Sequence, residues 1–326
     1  MCARCSASDL HECFHQFSFP VNRSQPDSGK FLTLSTMNTI SSVMLQNPLL
    51  SDEIQALLGK PYSAGEDYAI YCADCLSVLR KMPSDALFLT VTSPPYNIGK
   101  EYEKPLPLEM YLNWCEQWMK EIYRVTRPAG AFWLNIGYVE MTGRAKAIPL
   151  PYLLWNRSPF YLMQEVVWNY GAGVASRKSL SPRNEKFLWY VKNPENYTFN
   201  LDLIRDPDVK YPLQKKNGKL RCNTIGKNPS DVWQIAKVTS GEDRSSPERT
   251  PHPAQFPLDL VNRVLLGFSN LGELVLDPFM GSGTMAIACL QQGRKFIGIE
   301  IKPEYCEVAT KRVERFLAEK RSTLFD

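Results

Sequence analysis

The stretch from Leu274 to Ile299 constrains the fold more than any other part of the chain. An apolar run, Leu274-Val275-Leu276, ends in Asp277 and passes through Pro278-Phe279-Met280 into Gly281-Ser282-Gly283. Thr284 to Gln292 then has the apolar content of a buried helix, and Lys295-Phe296-Ile297-Gly298-Ile299 reads as a second short strand. Strand, glycine turn, helix and strand in that order need a crossover between parallel strands, so an α/β protein on a largely parallel sheet is expected. The turn lets backbone approach a ligand at the carboxyl edge of such a sheet. It lacks the Gly-x-Gly-x-x-Gly spacing of pyrophosphate sites, and no Gly-Lys-Ser/Thr phosphate loop occurs, which points to a nucleoside ligand without phosphates. Glu300, directly after the second strand, can accept hydrogens from both hydroxyls of a ribose; its alternative role is to cap the following helix.

A second motif, Ser93-Pro94-Pro95-Tyr96, follows the apolar run Ala86 to Thr92. Two prolines stiffen the turn and remove backbone donors, so the Pro94 carbonyl and the Ser93 hydroxyl can face an amino group. Accepting both hydrogens of an exocyclic amine favours the pyramidal nitrogen whose lone pair can attack an electrophile, and Tyr96 offers a stacking face for the base. A purely structural Pro-Pro turn is the alternative.

Around these motifs the chain alternates strands and helices. Tyr68 to Tyr71 is a predicted strand, Cys75 to Lys81 a helix and Pro107 to Val125 an amphipathic helix carrying Met110, Tyr111, Trp114, Trp118, Ile122 and Val125. Pro128-Ala129-Gly130 is expected to end that unit before a strand at Ala131 to Ile136. Val166 to Trp168 and Phe187 to Val191 supply further strands, and helices are expected at Met44 to Leu58, Pro257 to Phe268 and from Pro303, whose Cys306, Ala309, Val313 and Phe316 share a face. Between about 193 and 255 the pattern gives way to Asn, Pro, Lys, Gly and Ser, too long for a simple connection and therefore the natural place for substrate recognition.

Charge is uneven along the 326 residues. Residues 171 to 250 hold 15 Lys and Arg against 9 Asp and Glu, a surplus of +6 in a chain of net charge +4, so the remainder is at −2. A local basic surplus suits a polyanion, or is a solvated surface. No apolar run reaches the roughly 20 residues of a membrane span, and nothing near Met1 resembles a secretory leader, so no membrane partner and a cytoplasmic location are expected. Nine cysteines fit reduced thiols. Cys2, Cys5, His11, Cys13 and His15 are spaced too tightly for common zinc fingers, and Cys72-x-x-Cys75 lacks the surroundings of a redox pair, so no metal site is assigned.

With both motifs in place the chain resembles the amino-group DNA methyltransferases of the permuted β group, over about Asp67 to Leu317. The resemblance rests on Ser93-Pro94-Pro95-Tyr96 preceding the glycine motif, on Cys72-Ala73-Asp74-Cys75, on Asp231-Val232-Trp233 and on His252-Pro253-Ala254-Gln255-Phe256-Pro257. It implies a circularly permuted, Rossmann-like methyltransferase fold with helices on both faces of a mostly parallel sheet, an inserted target-recognition region and S-adenosylmethionine as cofactor. By the same resemblance Asp277, Phe279, Gly281, Ser282, Gly283 and Thr284 would hold the methionine side of the cofactor. Glu300 would hold the ribose and Asp74 the adenine, with Pro253, Gln255 and Phe256 closing over it. Ser93, Pro94, Pro95 and Tyr96 would hold a flipped base, bordered by the continuation Asn97 to Tyr102. Ser at the first motif position looks like the N4-cytosine enzymes, with N6-adenine as the alternative. No Pro-Cys pair supports C5-cytosine chemistry.

The expected organisation is an extension over 1–40 (Met37 being an equally sensible start), a catalytic half over 41–192, a target-recognition region over 193–250 and a cofactor half over 251–326. Expected partners are double-stranded DNA and a functionally paired restriction endonuclease, with the protein a monomer or homodimer; an RNA substrate and an inactive binder are the lesser readings. Candidate DNA contacts are Arg177, Lys178, Arg183, Lys215, Lys216, Lys219, Arg221, Lys227, Arg244 and Arg249.

Overall fold

Apolar residues alternate along the central strands, and that alternation sets the layers. In the computed structural model, which describes residues 56–322 except 102, 172–174 and 239–245, β4 (Thr126–Ile136) turns Phe132, Leu134 and Ile136 to one core and Ala131 and Trp133 to the other. Such two-sided burial requires helices on both faces. One core packs under α1 (Cys75–Leu79), α2 (Leu108–Val125) and α3 (Pro151–Leu154), the other under α4 (Leu258–Phe268), α5 (Thr284–Gln291) and α6 (Pro303–Ser322). In α2 the buried stripe is Tyr111, Leu112, Cys115, Trp118, Met119, Ile122 and Val125, while Met110 lies outside it, exposed. Each such large side chain, fully buried, contributes about 1.5–3 kcal/mol.

The main sheet has nine strands. Its order is β1 (Ser63–Ala64), β2 (Tyr68–Cys72), β13 (Lys295–Glu300), β12 (Leu274–Asp277), β3 (Leu87–Thr92), β4, β8 (Asn184–Val191), β7 (Tyr161–Asn169) and β11 (Val232–Gln234). Pairing is parallel from β2 through β4 and again between β7 and β11; β8 runs antiparallel to both its neighbours, and β1 to β2. The mostly parallel sheet flanked by helices is the expected fold. β3 and β12, far apart in sequence, pair side by side, so the two motifs leave adjacent strands at one edge.

Two expectations need correction. Pro128-Ala129-Gly130 does not end a unit; β4 runs straight through it, with an irregular register opposite Leu87 to Leu89. The Ala129 and Gly130 carbonyls accept from Thr198 and Lys192 amides, and a Cβ on Gly130 would sit 2.8 Å from the Phe88 carbonyl oxygen, so glycine here permits close backbone approach. Nor is 193–255 wholly irregular. Besides a 3₁₀ turn at Leu201–Leu203 it holds the hairpin β9 (Lys215–Lys216) and β10 (Lys219–Leu220), and it supplies β11 to the main sheet. Trp233 of β11 is buried, its ring stacked 5.4 Å from that of Trp133. Three residues with one buried side chain leave no period to read. A small hairpin, β5 (Tyr138–Met141) with β6 (Ala145–Pro149), follows β4.

The expected extension over 1–40, most of the Met44 to Leu58 helix and the Cys2, Cys5, His11, Cys13 and His15 set lie outside the described residues. Among the described residues the cysteines are free, with Cys72 half-buried and Cys75 buried, and no helix is long and apolar enough to cross a membrane.

Candidate active site

At the carboxyl edge, β12 delivers Asp277 into the sheet interior, where its carboxylate has one oxygen between two donors. Thr92 Oγ1, at the end of β3, donates to Asp277 Oδ1 at 2.6 Å, and the Phe279 amide donates to the same atom at 3.1 Å. Burial pushes the Asp277 carboxyl up to about 7 despite these donors. The following loop is pinned by the Met280 amide on the Ile299 carbonyl, and Gly281 takes φ 54°, a left-handed turn suited to glycine. Glu300 closes the turn: Oε2 accepts from the Gly281 amide and Oε1 from the Lys302 amide, both at 2.9 Å. Burial raises the Glu300 carboxyl as well.

The loop before α4 lies against this turn. A Cβ on Gly281 would sit 2.8 Å from His252 Nε2, and the His252 ring packs edge-on against Tyr305. Burial holds that imidazole down to about 4, so it is neutral at physiological pH. Gln255 is buried, and its side chain braces the loop: Oε1 accepts from Thr250 amide and hydroxyl, and Nε2 donates to the Glu248 carbonyl. Phe256 packs beside Trp168 and Phe187, and Phe279 beside Trp114 and Trp118.

On the other side of Asp277, β3 runs into Ser93-Pro94-Pro95-Tyr96. Tyr96 is not a free stacking ring. Its hydroxyl donates to Asn135 Oδ1 at 2.6 Å, meets Ser93 Oγ at 2.9 Å and reaches Glu185 Oε2 at 3.1 Å. Gly137 backs the ring so closely that a Cβ there would fall 2.8 Å from Tyr96 Cε2. The Tyr111 hydroxyl, from α2, donates to the Pro95 carbonyl at 2.7 Å and fixes the second half of the turn. Beyond it, Asn97, at φ 63°, and Glu103 tie the 97–106 loop together through the Leu106 and Ile98 backbone.

Both halves line a single cavity of about 790 Å³. Asp74, Ser93, Pro94, Pro95, Tyr96, Pro253, Gln255, Phe256, Asp277, Phe279, Gly281, Ser282, Thr284 and Glu300 all border it. Gly283 does not; at φ 77° it turns the chain into α5, and a Cβ would meet Ala309 of α6 at 2.8 Å. Asp74 is also the N-cap of α1, accepting from the Ser77 amide. Sequence reasoning missed Asn135, Gly137, Glu185 and Lys237, which line the same cavity, and Arg312, which donates to the Ser282 carbonyl and Thr284 hydroxyl from α6. A lone Asn in the apolar run Ala131 to Ile136 was the available signal for the first.

Of the expected DNA contacts, Arg177, Lys178, Lys215, Lys216, Lys219, Arg221, Lys227 and Arg249 are exposed and Arg183 is half-buried; Arg244 lies outside the described residues. Lys227 is already paired with Asp206 at 3.1 Å. Lys215, Lys216, Lys219 and Arg221 cluster on the β9–β10 hairpin, whose Asn217 and Gly218 both have positive φ, the geometry of a two-residue hairpin turn.

A glycine turn gripped by the Glu300 carboxylate, beside a rigid Ser-Pro-Pro-Tyr segment in one cavity at the carboxyl edge of this sheet, defines the class. The family model for N6/N4 methyltransferases, described as DNA methylase, matches residues 88–311, and the chain belongs to that family. It is 59% identical over 262 residues to the type II methyltransferase M.ScaI of Streptomyces caespitosus, covering 80% of this chain and 86% of that protein. It is 32% identical over 259 residues to the DNA adenine methyltransferase YhdJ of Escherichia coli (strain K12), covering 76% and 83%. The solved PvuII DNA methyltransferase (cytosine-N4-specific) shares the fold, with a TM-score of 0.61 at 20% identity over 79% of this chain and 93% of that one.

The cofactor of this DNA methyltransferase is S-adenosylmethionine. The residues present fit it. The volume lies within the roughly 300–1,000 Å³ of small-molecule sites. Glu300 borders the cavity with acceptor capacity left for a ribose hydroxyl, and the carboxylates of Asp74, Asp277 and Glu300 make an acidic wall suited to a cationic ligand.

Proposed function

We propose that this enzyme methylates the exocyclic N4 of cytosine in double-stranded DNA, on a base turned out of the helix. The observation that carries the reading is the cluster of acceptors at Ser93, Asn135 and Glu185 around the Tyr96 hydroxyl, in the same cavity as the Asp277 to Glu300 turn. When bound, S-adenosylmethionine supplies an electrophilic methyl group on a sulfonium. Ser93 Oγ and the Pro94 carbonyl would take the two amine hydrogens, leaving the nitrogen lone pair free to point at that methyl. Tyr96, immobilised by Gly137 behind and three polar partners at its hydroxyl, would stack on the base. The methyl's bond to sulfur would break, its electron pair leaving with the sulfur, as the bond to nitrogen forms, and the nitrogen would then lose its proton to solvent, so no strong base is needed.

Asp277, Phe279, Gly281, Ser282 and Thr284 would hold the methionine end, with Glu300 at the ribose, Asp74 at the adenine and Pro253, Gln255 and Phe256 covering them. Gly283 and Arg312 would support the turn from behind. The region 193–250 would bind the duplex, the β9–β10 hairpin chiefly through phosphates. A paired restriction endonuclease fits the type II methyltransferase relative.

Serine at the first motif position supports cytosine; the relationship to an adenine methyltransferase keeps N6-adenine as the second reading. Incubation with labelled S-adenosylmethionine and unmethylated bacterial DNA, digestion to nucleosides and mass spectrometry decide between them. N4-methylcytosine is expected. N6-methyladenine would overturn the choice of base, and methylation of RNA alone would overturn the choice of nucleic acid.

A further inference from the structure

The base end of the cavity holds a cation that the amine-accepting chemistry does not use. Lys237, three residues beyond β11, lines the cavity together with Trp168, Tyr170 and Glu185. Its ammonium lies 3.8 Å from the Tyr170 ring centroid and 5.4 Å from that of Trp168, and donates to Glu185 Oε1 at 2.5 Å. The other oxygen of the same carboxylate lies 3.1 Å from the Tyr96 hydroxyl. One carboxylate therefore separates the ammonium from the Ser93, Tyr96 and Asn135 cluster. Both charged side chains are shielded, Lys237 at 22% and Glu185 at 17% exposure. A shielded pair gains little stability over apolar packing, so its placement in the wall of the site calls for a ligand. Among the described residues Glu185 takes one ammonium hydrogen, and the aromatic faces hold the charge without consuming the other two.

We propose that Lys237 reads the acceptor edge of the target cytosine, N3 together with O2, with Glu185 as the residue that positions it. This rests on the cytosine reading above. In cytosine the amine adjoins N3, and O2 follows, so a base whose amine faces Ser93 turns two acceptors in succession along the pocket wall. Adenine also carries an acceptor beside its amine, but a carbon-bound hydrogen occupies the position that O2 takes in cytosine. An ammonium with two hydrogens to place is satisfied by cytosine and left half-paired by adenine, in a site where an unpaired polar group is costly. The discrimination that Ser93 cannot supply, since an amine is common to both bases, comes from the opposite wall.

The test uses the full chain, the site mapped with the wild-type enzyme and duplexes carrying either cytosine or 3-deazacytosine at the target. The analogue keeps the amine and replaces N3 by C–H. The wild type is expected to lose ~30-fold in kcat/KM on the analogue, and Lys237→Met ~30-fold on cytosine, with at most about 3-fold further loss on the analogue. Lys237→Gln, which keeps a donor, is expected to fall between the two. Full additive losses in Lys237→Met, or cytosine activity within about 3-fold of wild type, would overturn the role. Calorimetric binding of S-adenosylmethionine, expected unchanged, reports the fold independently; if Lys237→Met loses it, the comparison is read from Lys237→Gln. A wild type that makes no N4-methylcytosine sinks the cytosine reading itself, an outcome distinct from a cytosine methyltransferase indifferent to Lys237.

Discussion

The two ends of the cavity are held in opposite ways. The end proposed for the cofactor is secured through its backbone amides: Glu300 grips two, the Met280 amide is fixed to β13, and Asp277 holds the amide two residues ahead. The end proposed for the base is a web of side chains, Ser93, Tyr96, Asn135, Glu185 and Lys237, contributed by the ends of β3, β4 and β8 and the segment after β11. A turn held by its own amides tolerates little variation in its backbone path. A side-chain web can be rewritten one residue at a time, which suits the end proposed to distinguish one base from another.

That contrast predicts separable defects, and the largest lies at the cofactor end. Asp277→Asn keeps an acceptor for Thr92 but removes the buried charge, and should weaken S-adenosylmethionine binding ~100-fold, read by calorimetry. At the base end Gly137→Ala drives a methyl into the Tyr96 ring, so kcat should fall ~30-fold with cofactor affinity unchanged. Ser93→Ala, which removes one acceptor and adds no bulk, should cost ~10-fold in kcat with cofactor affinity again unchanged. Loss of cofactor binding in either base-end variant would break the division.

The same contrast accounts for what could be read from the sequence. Leu274 to Glu300 was legible down to the glycine turn because strand, turn and helix are consecutive there. The Ser93 to Tyr96 turn was legible too, yet Tyr96 was read as a ring face alone, because its hydroxyl partners Asn135 and Glu185 lie 39 and 89 residues away. Lys237 follows a three-residue edge strand without periodicity, and Glu185 sits at the start of an aromatic strand with no local mark of its purpose. The Asn217-Gly218 dipeptide did carry a hairpin signal, and the polar composition around it obscured that signal.

Asp277 also gives the end proposed for the cofactor a pH signature. A carboxyl raised to about 7 by burial is protonated below that pH in the empty protein. A cationic ligand needs the ionised form, so its affinity should rise about tenfold per unit as pH climbs toward 7 and level off above. Stability of the ligand-free protein runs the other way. The folded state holds this proton more tightly than the unfolded chain, so the contribution of Asp277 to stability declines from the ordinary carboxylate range up to about pH 7. His252, held down to about 4, has the opposite sign between 4 and its ordinary value. Asp277→Asn should remove the declining component from melting curves taken across pH 4 to 8, and an unchanged profile would show that Asp277 does not titrate in this range.

The smallest effects belong to the β9–β10 hairpin, which is not among the described residues that line the cavity. Lys215, Lys216, Lys219 and Arg221 are exposed on a ribbon with little buried surface, so replacing any one by Gln should leave stability within about 0.5 kcal/mol. If the ribbon follows phosphates, each replacement should weaken duplex binding a few-fold at low salt and reduce the slope of log affinity against log salt by about 0.9. Methylation at saturating DNA should be unchanged, because no polar contact joins the ribbon to the Tyr96 web among the described residues. A change in which sites are methylated, with the salt slope intact, would instead make the ribbon a reader of bases and extend specificity well beyond the pocket that holds the target.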